Sequence, residues 1–430
     1  MYGKITQAMS AYPPFRALKH RNYALFFFGQ GVSLIGTWMQ RITIGWLVYR
    51  LTNSALMLGT VSFASQIPIL VLSPIAGVLA DRLSKHKLLV ITQSLAMLQA
   101  AILAVLVLTE QVQVWQIIAL GTCLGIINSF DMPVRQSFII DMIEEKEDLA
   151  NAIALNSSLV NGGKLLGPSV AGILIVFLGE GMCFLLNALS YVAVIFALLS
   201  MTVQAKKAAR PAQKIWTELR EGYQYAVTSG TIRSVLLLVA LVSFVGMPYI
   251  SLMPMFAGGI LEGGPDTLAY LMFANGVGSL IASVFLTTCA TSDKLSRLLI
   301  FASFTLGGGL ILFSVSKLFW LSLVVITAVG FGMMLQSVCS NTILQTIVDD
   351  SKRGRLMSFY TMANMGTTPF GNLFTGFFAN SLGVGPTVLF CGICCIIGAI
   401  AYALHAKAPK DSKDEDEWEQ QGCVNCKTDH

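Results

Sequence analysis

The chain contains twelve long apolar runs, and this pattern restricts the possible folds more than any other feature of the sequence. The runs extend over about residues 22–49, 55–80, 88–109, 114–138, 150–178, 181–201, 234–260, 266–289, 297–316, 319–346, 355–379 and 384–405. Roughly 20 apolar residues in an α-helix span a bilayer core, and the runs lack the period-two alternation of a membrane barrel. The sequence therefore predicts an all-α membrane protein with twelve transmembrane helices.

Charged residues form only 12% of the chain, about half their share in soluble globular proteins. A surface with so few charges faces lipid rather than water, which excludes a soluble protein and a nucleic-acid-binding protein. The Lys and Arg residues concentrate in the termini and in the even-numbered loops, with Arg41, Arg50, Lys164 and Lys317 as the exceptions. By the positive-inside rule, both termini are predicted to be cytoplasmic, and the net charge of +5 is a topology signal.

A polar stretch divides the apolar runs into two sets of six. We therefore expect an N-terminal six-helix bundle over residues 1–205, a cytoplasmic linker with an amphipathic helix over 206–233, a C-terminal six-helix bundle over 234–407 and an acidic disordered tail over 408–430. A short repeat supports this division, since Asp81-Arg-Leu-Ser-Lys85 after the second run is echoed by Asp293-Lys-Leu-Ser-Arg297 after the eighth. Parallel repeats of this kind are typical of two-halved secondary transporters.

Ionisable residues within the predicted helices are few, and they are functional candidates because a charge in the bilayer is costly. Arg41 lies in the outer part of the first helix, and Lys164 lies near the middle of the fifth. Two cations with almost no carboxylates predict an anionic or carboxylate-bearing substrate, although Arg41 also suits snorkelling to the interface. Polar residues on the faces expected to line a central cavity complete the predicted substrate-binding set: Gln30, Thr37, Asn128, Asn161 and Asn364.

Asp131 and Arg135 lie one turn apart on the fourth predicted helix. Asp131 is the one good candidate for a proton-carrying carboxylate within the bundle, and Arg135 is its predicted partner in proton coupling. The same spacing also suits a purely structural ion pair. The sequence leaves both interpretations open.

The string Gly77-Val-Leu-Ala-Asp81-Arg82-Leu-Ser-Lys85 resembles the loop 2–3 signature of the major facilitator superfamily, with Ser84 where glycine is usual. This resemblance implies a cytoplasmic gate formed by Gly77, Asp81, Arg82, Lys85 and, in the repeat, Asp293, Lys294 and Arg297. Gly167 and Pro168 belong to a glycine–proline pattern that resembles exporters of the superfamily. Pro168 removes a backbone donor and is expected to bend its helix.

Two further strings, Trp46-Leu-Val-Tyr-Arg-Leu-Thr-Asn-Ser54 and Asp131-Met-Pro-Val-Arg-Gln-Ser-Phe138, resemble the branch that contains the enterobactin exporter and the macrolide efflux proteins. The resemblance covers about residues 15–405 and implies two pseudo-symmetric six-helix bundles, the major facilitator fold. It also implies proton-coupled export (antiport) of a siderophore, a drug or a similar small amphipathic molecule by alternating access. The implied location is a bacterial inner membrane.

An enzyme is not expected, because the sequence shows no Walker A phosphate loop and no nucleophile–base–orienter set. We expect a proton gradient to supply the energy, with no cofactor and no metal, and we expect a monomer in the lipid bilayer. An importer or a lysophospholipid flippase of the same fold stays an alternative, since a cationic cavity also suits a phosphate headgroup. A non-transporting receptor is disfavoured by the repeat, the loop 2–3 string and the polar faces.

Overall fold

The computed structural model describes residues 13–143, 145–201, 229–289, 294–348 and 350–407. Helices account for nearly all of these residues, and no β-strand occurs among them. Most of the expected linker (206–228) lies outside the described residues, as do Asp293 and the whole tail from residue 408. The prediction of an all-α membrane protein is confirmed.

The N-terminal helices are α1 (Arg21–Thr52), α2 (Ala55–Arg82), α3 (Lys85–Leu108), α4 (Val114–Met142) and α5 (Leu149–Leu199), with short 3-10 helices at Pro13–Lys19 and Lys146–Asp148. The C-terminal helices are α6 (Gly230–Leu241), α7 (Tyr249–Met255), α8 (Pro265–Cys289), α9 (Leu295–Val315), α10 (Phe319–Ile347), α11 (Asp350–Thr361), α12 (Thr368–Leu382) and α13 (Val384–Lys407). Three π-helical turns occur in the C-terminal helices, at Val242–Gly246, Phe256–Ile260 and Met362–Gly366.

Nine helical segments in the described ranges are long and apolar enough to cross a membrane. One of them is α5, which has 51 residues and is interrupted at Gly179, where φ is 80° and ψ is 169°. Glycine accepts this positive φ without steric cost, so the two predicted spans 150–178 and 181–201 meet at Gly179 with almost no loop between them. The described helices are consistent with the expected twelve crossings.

The two ends of the helix bundle differ in composition. The basic end carries the start of α1 and α3, and here Lys19 and Lys85 form ion pairs with Asp148 and Asp141. The opposite end carries the loops after α1 and after α7, together with Gly179.

The N-terminal and C-terminal helices meet where α2 packs on α12 and where α5 packs on α8. Both seams come closest at the opposite end. A Cβ added to Gly59 would lie 3.1 Å from the Cα of Gly376, and one added to Gly172 would overlap the Cβ of Ala269. Glycines at these positions let the helix backbones touch, so the structure is closed at the opposite end.

Candidate functional site

Trp38 of α1 carries two cations on its indole ring. The guanidinium carbon of Arg41 lies 5.3 Å from the ring centroid, and the Nζ of Lys164 lies 5.6 Å from it. Both distances are within the range of cation–π attraction, which is worth about 0.5–1 kcal/mol at exposed sites and about 2 kcal/mol where water is excluded. The indole therefore gathers two positive charges from different helices into one place.

Glycines of α5 create the space that Trp38 occupies. A Cβ on Gly163 would lie 3.1 Å from the Trp38 Cδ1, and a Cβ on Gly167 would overlap the Cβ of Trp38. Pro168 follows directly, yet α5 keeps helical backbone angles there, and its only break among the described residues is at Gly179. Gly167 thus serves the close α1–α5 contact, while a bend at Pro168 stays a prediction.

Arg41 and Lys164 are both solvent-accessible, and neither forms an ion pair with any carboxylate in the described part of the chain. Two like charges that share one ring repel each other, and the uncharged indole offsets this repulsion only in part. An anion placed between them would relieve the repulsion and form charge-assisted hydrogen bonds with both. The site is electrostatically suited to a negatively charged group.

The predicted neighbours of these cations are partly in place. Asn161 precedes Lys164 by about one turn of α5 and is half-buried. On α1, the Thr37 hydroxyl donates to the Ser33 carbonyl oxygen at 2.9 Å and lies 3.3 Å from the Tyr191 hydroxyl. Gln30 is 3% exposed, and its Oε1 has no hydrogen-bond partner among the described atoms. A buried hydrogen-bond acceptor costs free energy unless a donor, such as a group of the substrate, binds to it.

A chain of three amides lies beside this face and was not predicted. The Nε2 of Gln40 donates to the Oε1 of Gln99 at 3.0 Å, and the Nδ2 of Asn187 donates to the Oε1 of Gln40 at 2.7 Å. All three residues are buried. The chain links α1 to α3 and to the second arm of α5, and it fixes the rotation of α1 that presents Trp38 and Arg41.

Asp131 lies on α4 and is hydrogen-bonded to two residues of α3. Its Oδ1 accepts hydrogen bonds from Thr92 at 2.9 Å and from Gln93 at 2.7 Å. Its Oδ2 lies 3.3 Å from Nη2 of Arg135, so the predicted ion pair is present. Asp131 is 3% exposed. Asn128 lies one turn earlier on α4 and is partly buried.

Asn364 lies in the π turn between α11 and α12 and faces α6–α7. The Ser243 hydroxyl donates to its Oδ1 at 3.5 Å, and its Nδ2 donates to the Tyr360 hydroxyl at 3.4 Å. Farther along the same predicted stripe, Thr367 donates to the Ala240 carbonyl oxygen at 3.3 Å. This stripe therefore packs at least in part against α6–α7, and the role of Asn364 in substrate binding stays a prediction.

The loop 2–3 string occupies the end of α2 and the start of α3. Gly77, Asp81 and Arg82 lie on the last turns of α2. Ser84 has an extended backbone and caps α3, which gives a physical reason for serine where the superfamily has glycine. The Nζ of Lys85 lies 2.9 Å from the Asp141 carboxylate of α4. In the repeat, Lys294 occupies the N-cap position of α9 without a capping hydrogen bond from its side chain, and Arg297 lies in the first turn.

Comparisons with known proteins bear on the whole chain. A family model described as "Transmembrane secretion effector" matches residues 9–427. The Staphyloferrin A transporter of Staphylococcus aureus (strain NCTC 8325 / PS 47) is 26% identical over 387 residues, which cover 89% of this chain and 96% of that protein. Macrolide efflux protein A of Streptococcus pyogenes is 23% identical over 399 residues, with the same two coverages of 89% and 96%.

Solved structures extend the comparison to the fold. The crystal structure of a POT family transporter in complex with a thioalcohol-conjugated peptide has a TM-score of 0.72 at 12% identity, covering 90% of this chain and 96% of the other. A bacterial homologue of the iron transporter ferroportin, in an inward-facing state, has a TM-score of 0.67 at 15% identity, covering 90% and 99%. At these identities the likeness shows the fold alone.

Proposed function

This chain belongs to the transmembrane secretion effector family of the major facilitator superfamily, and from that premise we propose that it exports a small amphipathic anion. It is a multi-pass membrane transporter and not an enzyme.

The observation that carries the proposal is the pair of unpaired cations on Trp38. Arg41 and Lys164 approach one indole from two helices, and both remain accessible. A carboxylate or phosphate of the cargo would bind both cations, while the indole would cover an apolar part of the same molecule. The site therefore favours a cargo with one anionic and one apolar region over a cationic drug.

The names of the relatives support export of an amphipath across a bacterial cell membrane. One is a staphyloferrin A transporter, one is a macrolide efflux protein, and a third, 23% identical, is the multidrug efflux pump Tap of Mycolicibacterium fortuitum. With both termini in the cytoplasm, as the Lys and Arg distribution indicates, the basic end faces the cytoplasm and the opposite end faces outward. The protein would work as a monomer and without a cofactor.

For the energy source, we propose proton antiport through Asp131. Protonation of this carboxylate would weaken its ion pair with Arg135 and its hydrogen bond from Gln93. The α3–α4 contact would then loosen, which links proton binding to a movement of helices. The gate at the basic end would be formed by the residues of the loop 2–3 string and its repeat: Gly77, Asp81, Arg82, Lys85, Asp293, Lys294 and Arg297.

The test begins with a host that expresses the full chain and with profiling of intracellular and extracellular metabolites against an empty-vector control. We expect compounds enriched outside the cell to carry a carboxylate or phosphate. Lys164→Gln and Arg41→Gln should each weaken export of such a compound about tenfold or more, as expected for loss of a charge-assisted contact of about 1.5–3 kcal/mol. Lys164→Arg should retain most activity.

The matched control is Lys317→Gln, which removes an exposed cation in the loop between α9 and α10 at the opposite end. Its export should equal that of the unmodified chain. Export that is unchanged in both Lys164→Gln and Arg41→Gln, with normal amounts of folded protein, would refute the anionic-cargo assignment. Enrichment of cationic compounds alone would refute it as well.

A further inference from the structure

A groove of about 650 Å³ runs between α1 and the first arm of α5 in the half of the bundle nearest the basic end. Most of its wall residues are apolar or lack side chains, among them Gly31, Ile35, Leu155, Gly162, Gly163 and Leu166. A Cβ added to Gly162 would have no atom within 4 Å. The groove is therefore an open space next to the close contact between α1 and α5.

The groove faces lipid rather than the transport site. Gly162 and Leu166 are each two residues from Lys164, which places them about 200° around α5 from it. Leu166 is 46% exposed, and Val32 on the neighbouring side of α1 is 55% exposed. Large exposed apolar side chains on a membrane-spanning helix contact acyl chains. The cations on Trp38 therefore lie on one side of the α1–α5 pair, and the groove lies on the other.

The groove has a polar rim at the basic end. Asn151 and Ser158 line it there, whereas its deep end near Leu166 is apolar. Arg21 lies on the same face of α1 as Ile35, because the two are fourteen residues apart and seven residues make nearly two turns. Arg21 is exposed and has no ion-pair partner among the described carboxylates, unlike Lys19, which contacts Asp148.

We propose that this groove binds an anionic phospholipid, with one acyl chain between α1 and α5 and the phosphate at Arg21. The change from a polar, positively charged rim to an apolar interior matches the polarity of such a lipid along its length. The lipid belongs to the leaflet at the basic end, since Arg21 begins α1 there. This site is separate from the cargo site and does not depend on the proposed cargo.

A lipid in this groove would also act on the transport site through α1. The lipid would lie on one side of Gly163, and the indole of Trp38 packs on the other side. An occupied groove would therefore hold Trp38 against α5, and an empty one would let the two helices close up or rotate. Transport would depend on the lipid through the position of the indole.

The test uses the purified full-length chain in detergent, titrated with dioleoyl phosphatidylglycerol or dioleoyl phosphatidylcholine and observed by native mass spectrometry. We expect at least one phosphatidylglycerol to bind about tenfold more tightly than phosphatidylcholine. Gly162→Leu fills the groove and should abolish this tight binding. Gly308→Leu is the matched control, because Gly308 also has no atom within 4 Å of an added Cβ, and it should bind as the unmodified chain does.

Arg21→Gln tests the headgroup without altering packing. It should reduce the preference for phosphatidylglycerol to nearly none, while Arg233→Gln, which removes another exposed cation, should leave the preference intact. Tight phosphatidylglycerol binding that survives Gly162→Leu would overturn the proposal by placing the lipid elsewhere. Equal binding of the two lipids to the unmodified chain would overturn it too, since the groove would then accept any apolar chain.

Discussion

Substitution of Gly59 by alanine should shift the transporter away from the state closed at the opposite end. The added Cβ would lie 2.5 Å from the Asn372 carbonyl oxygen and 3.1 Å from the Cα of Gly376. Both are backbone atoms of another helix, so no side-chain rotation can make room, and α2 and α12 must separate.

The size of the shift follows from the cost of overpacking, which is typically about 1–3 kcal/mol. Because α2 and α12 touch at this point in the closed state, and because separation relieves the clash, nearly all of this cost falls on one state. A difference of about 1–3 kcal/mol changes an equilibrium by about 5- to 150-fold. The ratio of closed to open protein should fall by this factor.

The assay is cross-linking across the seam with a short thiol reagent, using Ser54→Cys and Asn380→Cys in the full chain. The Ser54 hydroxyl donates to the Oδ1 of Asn380 at 3.2 Å, so the two positions are adjacent only when the opposite end is closed. Gly59→Ala should lower the cross-linked yield at short reaction times, by a factor that approaches the full change of about 5- to 150-fold only where the open state already dominates. Gly308→Ala, in open space, should not change it. Equal yields for both variants would refute the inference that backbone contact at Gly59 closes the seam.

Three further outcomes are expected. Trp38→Leu should weaken export of an anionic cargo several-fold while Trp38→Phe retains most of it, because the aromatic ring attracts the two cations. Equal export by the two variants, measured over a range of cargo concentrations, would contradict this role. Asp131→Asn should abolish the response of transport to an imposed pH gradient, and a normal response in reconstituted vesicles would exclude Asp131 as the proton carrier. A hydrogen bond from Lys19, with His20 and Arg16 nearby, lowers the pKa of Asp148. The ionised carboxylate therefore stabilises the fold at neutral pH, and this contribution is lost as the pH falls through the lowered pKa. Asp148→Asn should lower the thermal unfolding midpoint at pH 7 and have little effect on it under strongly acidic conditions.

Hydropathy alone predicted most of the helices because a membrane span requires a continuous apolar stretch, and the ends came within a few residues. The break between the runs 150–178 and 181–201 was predicted, but its geometry at Gly179 was not, because one glycine with positive φ does not change the hydropathy of the sequence. The π turns were likewise invisible, since they change hydrogen bonding without changing composition.

The candidate site was predicted only in part. Arg41 and Lys164 were identified because charges in apolar runs are conspicuous, and their common partner Trp38 was missed because an aromatic residue in a membrane helix is ordinary. Its position three residues before Arg41 indicates that the two side chains are neighbours on the helix, and this spacing could have identified the contact. The amide chain around Gln40 was missed for a different reason, since it depends on which helices are neighbours, and that is set by packing between distant parts of the chain.

The π turns of the C-terminal helices have a consequence for chain length. In a π turn the backbone bond closes from residue i to i+5, as from Met247 to the Val242 carbonyl oxygen, and so holds one residue more than an α turn. Removing one residue from Val242–Gly246 would leave an ordinary α-helix whose faces still meet the same neighbours, including the contact between Ser251 and Asn372 at 3.0 Å. Single-residue deletions should therefore be tolerated at these turns and nowhere else within the same spans, which makes them the natural places for homologous helices to differ in length.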